Sequence, residues 1–249
     1  MDAIILAGAL NNGPLRGCSP SPYEAGIEVA GRPMVELVID ALAAVKSIQR
    51  IAMAIPDGIL SPEAKAKVWR TVPPGKTMID SLSRAFEALQ PEEPVLVVTS
   101  DIPLITPAAV EDFLRRCEAR PADIHYSFVS REVNEAKYPG VRRTYVRLKD
   151  GTFTGGNIVR FHPKVFREHS RRIAQAIALR KKPLKLCKML GFRFVLKFLA
   201  GRLTVGEIEW RVENILQLKA AGIISPYPEV GIDVDKPSDL ELARKALVH

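Results

Sequence analysis

Short apolar runs alternate with stretches of helical spacing along the whole of this 249-residue chain. The runs at 3–7, 48–55, 94–99, 123–129 and 158–161 are rich in branched residues and predict buried strands. A looser alternation at 141–148 predicts a further strand, and Lys149-Asp150-Gly151 after it has hairpin-turn chemistry. Three sets of apolar residues recur at helical intervals: Val35, Val38, Ile39 and Leu42; Ile79, Leu82, Phe86 and Leu89; Val110, Phe113, Leu114 and Cys117. Pro33 and Pro107 stand where a first helical turn tolerates proline, and Thr106 is a ready cap. A short helix is predicted over 61–69. Thr204-Val205-Gly206-Glu207 is a capping box that opens another, to about residue 219. Pro226-Tyr227-Pro228 reads as a rigid extended connector, and Pro237 opens a final helix. Strands alternating with helices predict an α/β fold with a mostly parallel sheet.

Composition narrows this picture. Hydrophobic residues make up 47% and charged residues 26%, which is globular and excludes disorder. The length suits one domain, 1–249, with a full core. No run of about 18 uncharged apolar residues occurs, so no membrane span is expected. The chain opens on a core strand without a basic leader, so no signal peptide is expected. Cys18, Cys117 and Cys187 are scattered and odd in number. They form neither a zinc pattern nor a disulfide framework, and a reducing cytoplasm is expected. Cys117 falls on the inward stripe of its helix and reads as core.

Charge is concentrated in one place. Between Arg160 and Arg202 stand thirteen basic residues against one acid, Glu168, a net +12. With a chain total of +8, the remainder carries −4. The basic stretch lies in a helical insertion expected at about 163–220. On a wheel begun at Leu184, the residues Leu184, Cys187, Leu190, Phe194 and Phe198 share a face, with Lys185, Lys188, Arg193 and Lys197 opposite. Three readings stand open: a lid over an anionic or lipid-like acceptor, a face lying on an anionic membrane surface through 180–202, and a hairpin packed on the sheet or on a second copy. Nucleic acid is not expected, since no binding motif accompanies the bases.

The candidate chemistry begins after the first strand. Leu6-Ala7-Gly8-Ala9 opens a glycine-rich loop whose small residues let backbone N–H groups approach a phosphate, and Arg16 adds a forked cation. Asp101 directly follows a buried strand, at the sheet edge where α/β ligand sites lie. Thr152 to Asn157 is a small-residue entry to the next strand, and Gly155-Gly156-Asn157 reads either as a backbone approach for a ligand or as a bulge.

The opening "IILAGA…LRG…VAGRPMVELVIDAL", the segment "TSDIPLITPAAVEDFL" and the closing "GIDVDKPSDL" together resemble the MobA-like nucleotidyltransferases. That family includes molybdopterin guanylyltransferases and sugar-phosphate and cytidylyl transferases. The resemblance implies a Rossmann-like, GT-A-like three-layer α/β/α fold with a mostly parallel mixed sheet. It implies transfer of NMP from an NTP, GTP or CTP, to a small phosphorylated acceptor with release of pyrophosphate. By the same resemblance Asp101 and Asp235 are the Mg²⁺ ligands, and Arg16 neutralises the leaving pyrophosphate. Leu6, Ala7, Gly8, Ala9, Gly75 and Ser81 meet the nucleotide, and Gly155, Gly156 and Asn157 meet the acceptor. Asp233 is expected on the same strand face as Asp235. Two positions depart from the pattern: Ala9 replaces the second glycine, and Glu24 stands where relatives carry a lysine. Arg32 and Lys76 are candidates to replace that cation. The departures leave a second reading, a non-catalytic nucleotide-binding protein of the same fold, and a third, a transferase working at a membrane on a lipid or isoprenoid phosphate.

Overall fold

The computed structural model describes residues 1–170 and 191–247. Its strands are β1 (Asp2–Leu6), β2 (Glu28–Val29), β3 (Arg32–Pro33), β4 (Arg50–Ala54), β5 (Arg70–Val72), β6 (Val95–Thr99), β7 (Ile124–Ser130), β8 (Val146–Leu148), β9 (Gly151–Phe161) and β10 (Ala220–Ser225). The helices named here are α1 (Met34–Ala43), α2 (Pro62–Ala66), α3 (Met78–Leu89), α4 (Pro107–Ala119), α5 (Arg131–Lys137), α6 (Phe192–Leu199), α7 (Val205–Leu216) and α8 (Pro237–Leu247).

β1 lies inside the sheet, between β6 and β4, because Ala3, Ile4 and Ile5 leave it apolar on both faces. Ala3 and Ile5 point to one side, among α1 and α4 residues such as Val38, Ile39, Val110 and Phe113. Ile4 points to the other, among Leu82, Ala85, Phe86 and Leu89 of α3. Alternating side chains of a strand buried on both faces thus define the three layers. Strand order is β10-β7-β9-β6-β1-β4-β5, with β8 paired to β9. β1–β4, β1–β6, β4–β5 and β7–β10 are parallel, and all three pairings of β9 are antiparallel. The chain runs outward from β1 to β4 and β5, then returns to the other side of β1 as β6. That reversal opens a crevice at the carboxyl ends of β1 and β6.

Several elements differ from the sequence reading, each for a local reason. The helix predicted over 61–69 ends at Ala66, because Trp69 donates its backbone N–H to Ile51 at 2.8 Å and begins β5 on the free edge of β4. Trp69 is covered there by the guanidinium groups of Arg50 and Arg70, each 5.0 Å from its ring. The strand predicted over 141–148 is confined to β8, since Arg143 turns inward to Asp233 and Asp239. β9 extends back through the small-residue entry to Gly151, with a register irregularity opposite Tyr126 and Phe128. α5, capped by Ser130, and β10, just ahead of the Pro226–Pro228 connector, are additional elements. That connector itself passes into a tight turn, Pro228–Gly231. The predicted capping box of α7 is present, with the helix stopping at Leu216 where Gln217 adopts φ +57°. A single helical wheel from Leu184 to Phe198 is not what forms: Gly191, at φ +93°, precedes a helix that starts at Phe192. Leu184, Lys185, Cys187, Lys188 and Leu190 lie outside the described residues.

Candidate active site

The crevice holds a cleft of about 620 Å³ lined by the loop after β1 (Leu6, Gly8, Ala9), by Pro74, Gly75, Lys76 and Ser81, by Thr99 to Asp101, and by Tyr23 and Glu24. Two glycines let its walls meet. A Cβ on Gly8 would lie 2.4 Å from the Pro74 Cβ, and one on Gly75 would lie 2.3 Å from the Asp80 Cβ. The N–H of Gly75 donates to the Ser81 hydroxyl oxygen at 2.9 Å, so Ser81 fixes this loop while lining the cleft. Ala7 is buried, and its N–H donates to Ala54 at 2.9 Å, so it is committed to the sheet. The N–H groups of Gly8 and Ala9 make no hydrogen bond among the described residues and are free for a ligand.

At one end of the crevice three acids converge. Asp101, Asp233 and Asp235 each bring a carboxylate oxygen within 4.8 Å of the other two. Asp101 is delivered by β6, and its carboxylate accepts from the Thr99 hydroxyl. Residues 232–235 are not a strand, contrary to the expected shared strand face; this irregular segment is tied to the sheet edge where Val234 donates its N–H to the Asp101 carbonyl at 2.8 Å. Buried Arg143 grips the segment from behind. Its guanidinium lies 2.8 Å from the Asp233 carboxylate, 3.5 Å from that of Asp239, and donates to the Asp233 carbonyl at 2.6 Å. Asp239 in turn accepts the Asp235 N–H at 3.3 Å.

This arrangement is short of positive charge. Burial raises the Asp101 carboxyl above its usual range; Thr99 opposes that, and Asp235 adds to it. Asp233 is pushed up to about 7 by burial, against the pull of Arg143, with Asp101 and Asp235 repelling it. Glu24 is raised by burial first and then by the charges of Asp101 and Asp235. A cluster of oxygen donors that resists ionisation suits a hard divalent cation, which favours carboxylate oxygens and would lower all of these pKa values.

The structure therefore brings Asp101 and Asp235 together beside Leu6, Gly8, Ala9, Gly75 and Ser81. Arg16 is elsewhere in its loop: exposed, in the turn Pro14–Gly17, its guanidinium 3.4 Å from the Asn11 carbonyl, and not on the cleft wall. Gly155, Gly156 and Asn157 lie within β9, away from the cleft lining. The space beside the two glycines is filled, by the Tyr126 hydroxyl at 2.4 Å from a Gly155 Cβ and by Ser127 and Val230 beside Gly156. Close packing accounts for the buried Gly156. Arg32, one candidate replacement cation, is committed to Glu36 and Asp40 at 3.3 and 2.9 Å, whereas Lys76 lines the cleft. Glu24 is held in place by its N–H on the Ala9 carbonyl at 3.0 Å, and the Leu10–Tyr23 bridge closes the loop behind it. Sequence reasoning misses Arg143, and it places Asp233 beside Asp235 without making it a third candidate ligand. The Gly-x-Asp-x-Asp spacing hinted at Asp233, but nothing local marks Arg143, whose partners are ninety or more residues away.

A mostly parallel sheet flanked by helices, with a crevice at the β1/β6 switch point and acids at its end, is a Rossmann-like α/β fold. The MobA-like NTP transferase domain model matches residues 23–190, more than half of the chain, and the chain belongs to that family. It is similar to a hypothetical transferase structure from Thermus thermophilus: TM-score 0.86, 37% identity, covering 96% of this chain and 98% of that one. It resembles in fold the 2-C-methyl-D-erythritol 4-phosphate cytidylyltransferase from the same organism, at TM-score 0.59 and 16% identity over 100% of both chains. CMP:2-keto-3-deoxy-manno-octonic acid synthetase, in complex with CTP, is another fold neighbour, at TM-score 0.59 and 15% identity over 100% of this chain and 99% of that one. No curated protein matches the sequence. Among the described residues, no helix is long and apolar enough to cross a membrane.

Proposed function

We propose that this chain transfers NMP from an NTP to a small phosphorylated acceptor in a Mg²⁺-dependent reaction that releases pyrophosphate. The observation that carries the reading is the convergence of Asp101, Asp233 and Asp235 at the end of a cleft with free backbone donors. In the proposed reaction an acceptor phosphate oxygen bonds to the NTP α-phosphorus while the bond from that phosphorus to the pyrophosphate oxygen breaks. Such transfer needs in-line positioning and charge neutralisation more than a covalent nucleophile. The Gly8 and Ala9 N–H groups would hold phosphate oxygens, and Lys76 would supply the cation missing at position 24. The three aspartates would hold Mg²⁺, which supplies charge neutralisation at the reacting phosphate. Arg16 reaches the pyrophosphate only if its turn swings toward the cleft. CTP and GTP remain the proposed donors. The acceptor is proposed to approach across the carboxylates rather than at Gly155 and Gly156, whose flanks are filled.

Pyrophosphate release with the four NTPs, Mg²⁺ and a panel of sugar, polyol and isoprenoid phosphates tests this reading. Wild-type turnover that collapses in Asp101→Ala is the expected result. NTP binding without release by either protein favours the second reading, a non-catalytic nucleotide-binding protein. One specific feature speaks for that alternative: Glu24 adds an acid where relatives place a cation.

A further inference from the structure

The irregular segment that carries Asp233 and Asp235 is held from outside the cleft. Ile232 and Val234 pack in an apolar cluster with Leu104, Tyr138 and Val141, while Asp233 and Asp235 meet Asp101. Among the described residues, the backbone of 232–235 makes one backbone–backbone bond to the sheet edge, from Val234 to Asp101. Further contacts come from one stretch, 137–143, which follows α5. Arg143 engages Asp233, and the Lys236 ammonium donates to the Arg142 carbonyl at 2.9 Å. At the near end of the same stretch, Lys137 pairs with Glu229, and the Tyr138 hydroxyl donates to the same Glu229 oxygen at 3.4 Å.

Glu229 stands in the turn Pro228–Gly231, four residues ahead of Asp233. Its side chain is 2% exposed. One oxygen, Oε1, takes both partners, and Oε2 has no hydrogen-bond partner among the described residues. An acid buried with half of its acceptors unmet is a poor choice for stability. Desolvation of a buried pair offsets its attraction, and an apolar residue of like volume is often as good or better. Geometry accounts for the acid. Its carboxylate locates the 228–231 turn against α5, and that turn sets where 232–235 begins.

We propose that Glu229 is a positioning residue for the cation site: gripped by Lys137 and Tyr138, it fixes the start of the segment on which Asp233 and Asp235 sit. It does not line the cleft and acts only through that segment. Groups that orient metal ligands from behind typically contribute about 10–100-fold in affinity. This inference rests on the Mg²⁺ reading of the three aspartates given above.

Binding of Mn²⁺ to the full chain without nucleotide, followed as loss of the free-ion electron paramagnetic resonance signal, is the test. Glu229→Leu should bind Mn²⁺ at least about tenfold more weakly, yet melt without cation at or above the wild-type temperature. A merely structural role would lower the melting temperature and leave Mn²⁺ affinity alone. Glu229→Gln keeps an acceptor for Lys137 and Tyr138 and should restore most of the affinity, although it too lacks the charge. Wild type and Glu229→Leu binding Mn²⁺ equally well overturns this inference alone. So does Glu229→Gln as weak as Glu229→Leu, because loss of a distant charge then explains both. Wild type that binds no Mn²⁺, or binding unchanged in Asp101→Asn, overturns the Mg²⁺ reading and this inference with it. If Glu229→Leu fails to fold, Lys137→Met with Tyr138→Phe removes the same two contacts. There the lost lysine charge alone would strengthen cation binding, so weaker binding supports positioning and equal or stronger binding overturns it.

Discussion

Val234 donates its backbone N–H to the carbonyl of Asp101 at 2.8 Å. One hydrogen bond thus ties the turn after β6 to the irregular segment that carries Asp233 and Asp235. The two acidic segments do not merely face each other; the backbone holds them in register, so their side chains are positioned before any cation arrives. Preorganisation of this kind lets charge stabilisation act without reorganisation cost.

Removing a carboxylate from the cluster should separate binding of the cation from stability of the fold. Asp101→Asn and Asp235→Asn are expected to lower pyrophosphate release by about a hundred- to a thousandfold, the usual loss for one charge-stabilising group. Both variants should melt at or above the wild-type temperature without divalent cation, because each relieves repulsion within the cluster. Thermal melts with and without millimolar Mg²⁺ or Mn²⁺, set beside turnover, check this; a wild-type midpoint indifferent to either cation refutes it.

The raised carboxyls make stability depend on pH in a defined direction. Asp233 is pushed up to about 7, while an unfolded aspartate titrates near about 3.9. Across that window the folded chain holds a proton that the unfolded chain has released, so the unfolded state binds fewer protons. Stability contributed by this group is present below the unfolded value and is lost as pH rises toward 7. A divalent cation needs the ionised form, so its binding expels the proton and grows tighter as pH rises. The shift in thermal midpoint caused by Mg²⁺ should therefore be larger at pH 8 than at pH 5.5. Melts at the two pH values measure it, and a larger shift at the lower pH contradicts the assignment.

Arg143 should matter far more than its exposed counterparts. Its side chain is buried between Asp233 and Asp239, and both acids are tied to the site. Arg143→Met takes the buried cation from Asp233 and leaves the buried Asp239 only Lys236 at 3.7 Å, and breaking a buried pair typically costs about 3–5 kcal/mol. Arg131, paired with Glu135 on an exposed helix surface, is the contrast: Arg131→Ala should leave the unfolding midpoint nearly unchanged. Urea unfolding of the two variants decides the point.

Legibility of this chain in its sequence follows interaction range. Strands buried on both faces, such as β1 and β6, declare themselves by composition, as do the capped helices α4 and α7. Elements that exist by pairing with a distant edge do not: β5 follows from Trp69 reaching Ile51, and β10 from its partnership with β7. The same division holds at the site. Asp101 and Asp235 could be picked out because each sits in a local motif at an element end. Arg143 could not, since its role arises only when the 231–239 segment folds against it. Small residues carry the opposite ambiguity. A Cβ at Gly155 would meet the Tyr126 hydroxyl and one at Gly156 would meet Ser127 and Val230, contacts that only the folded sheet reveals.

Glu24 is the departure with the sharpest consequence. It sits beside Asp101 and Asp235 in a partly buried position, and both charges raise its pKa after burial does. Its N–H on Ala9 and the Leu10–Tyr23 bridge hold the backbone at position 24 beside the acidic cluster. Glu24→Lys replaces a repelled anion with a cation near an acidic cluster. Without divalent cation the variant should be more stable, with a higher thermal midpoint. The stabilisation gained on adding Mg²⁺ should shrink in step, because the lysine already supplies part of the neutralising charge. NTP binding measured without metal should strengthen, while the dependence of binding on Mg²⁺ weakens. An unchanged apo midpoint together with an unchanged Mg²⁺ response would show that Glu24 lies outside the electrostatic reach of Asp101 and Asp235.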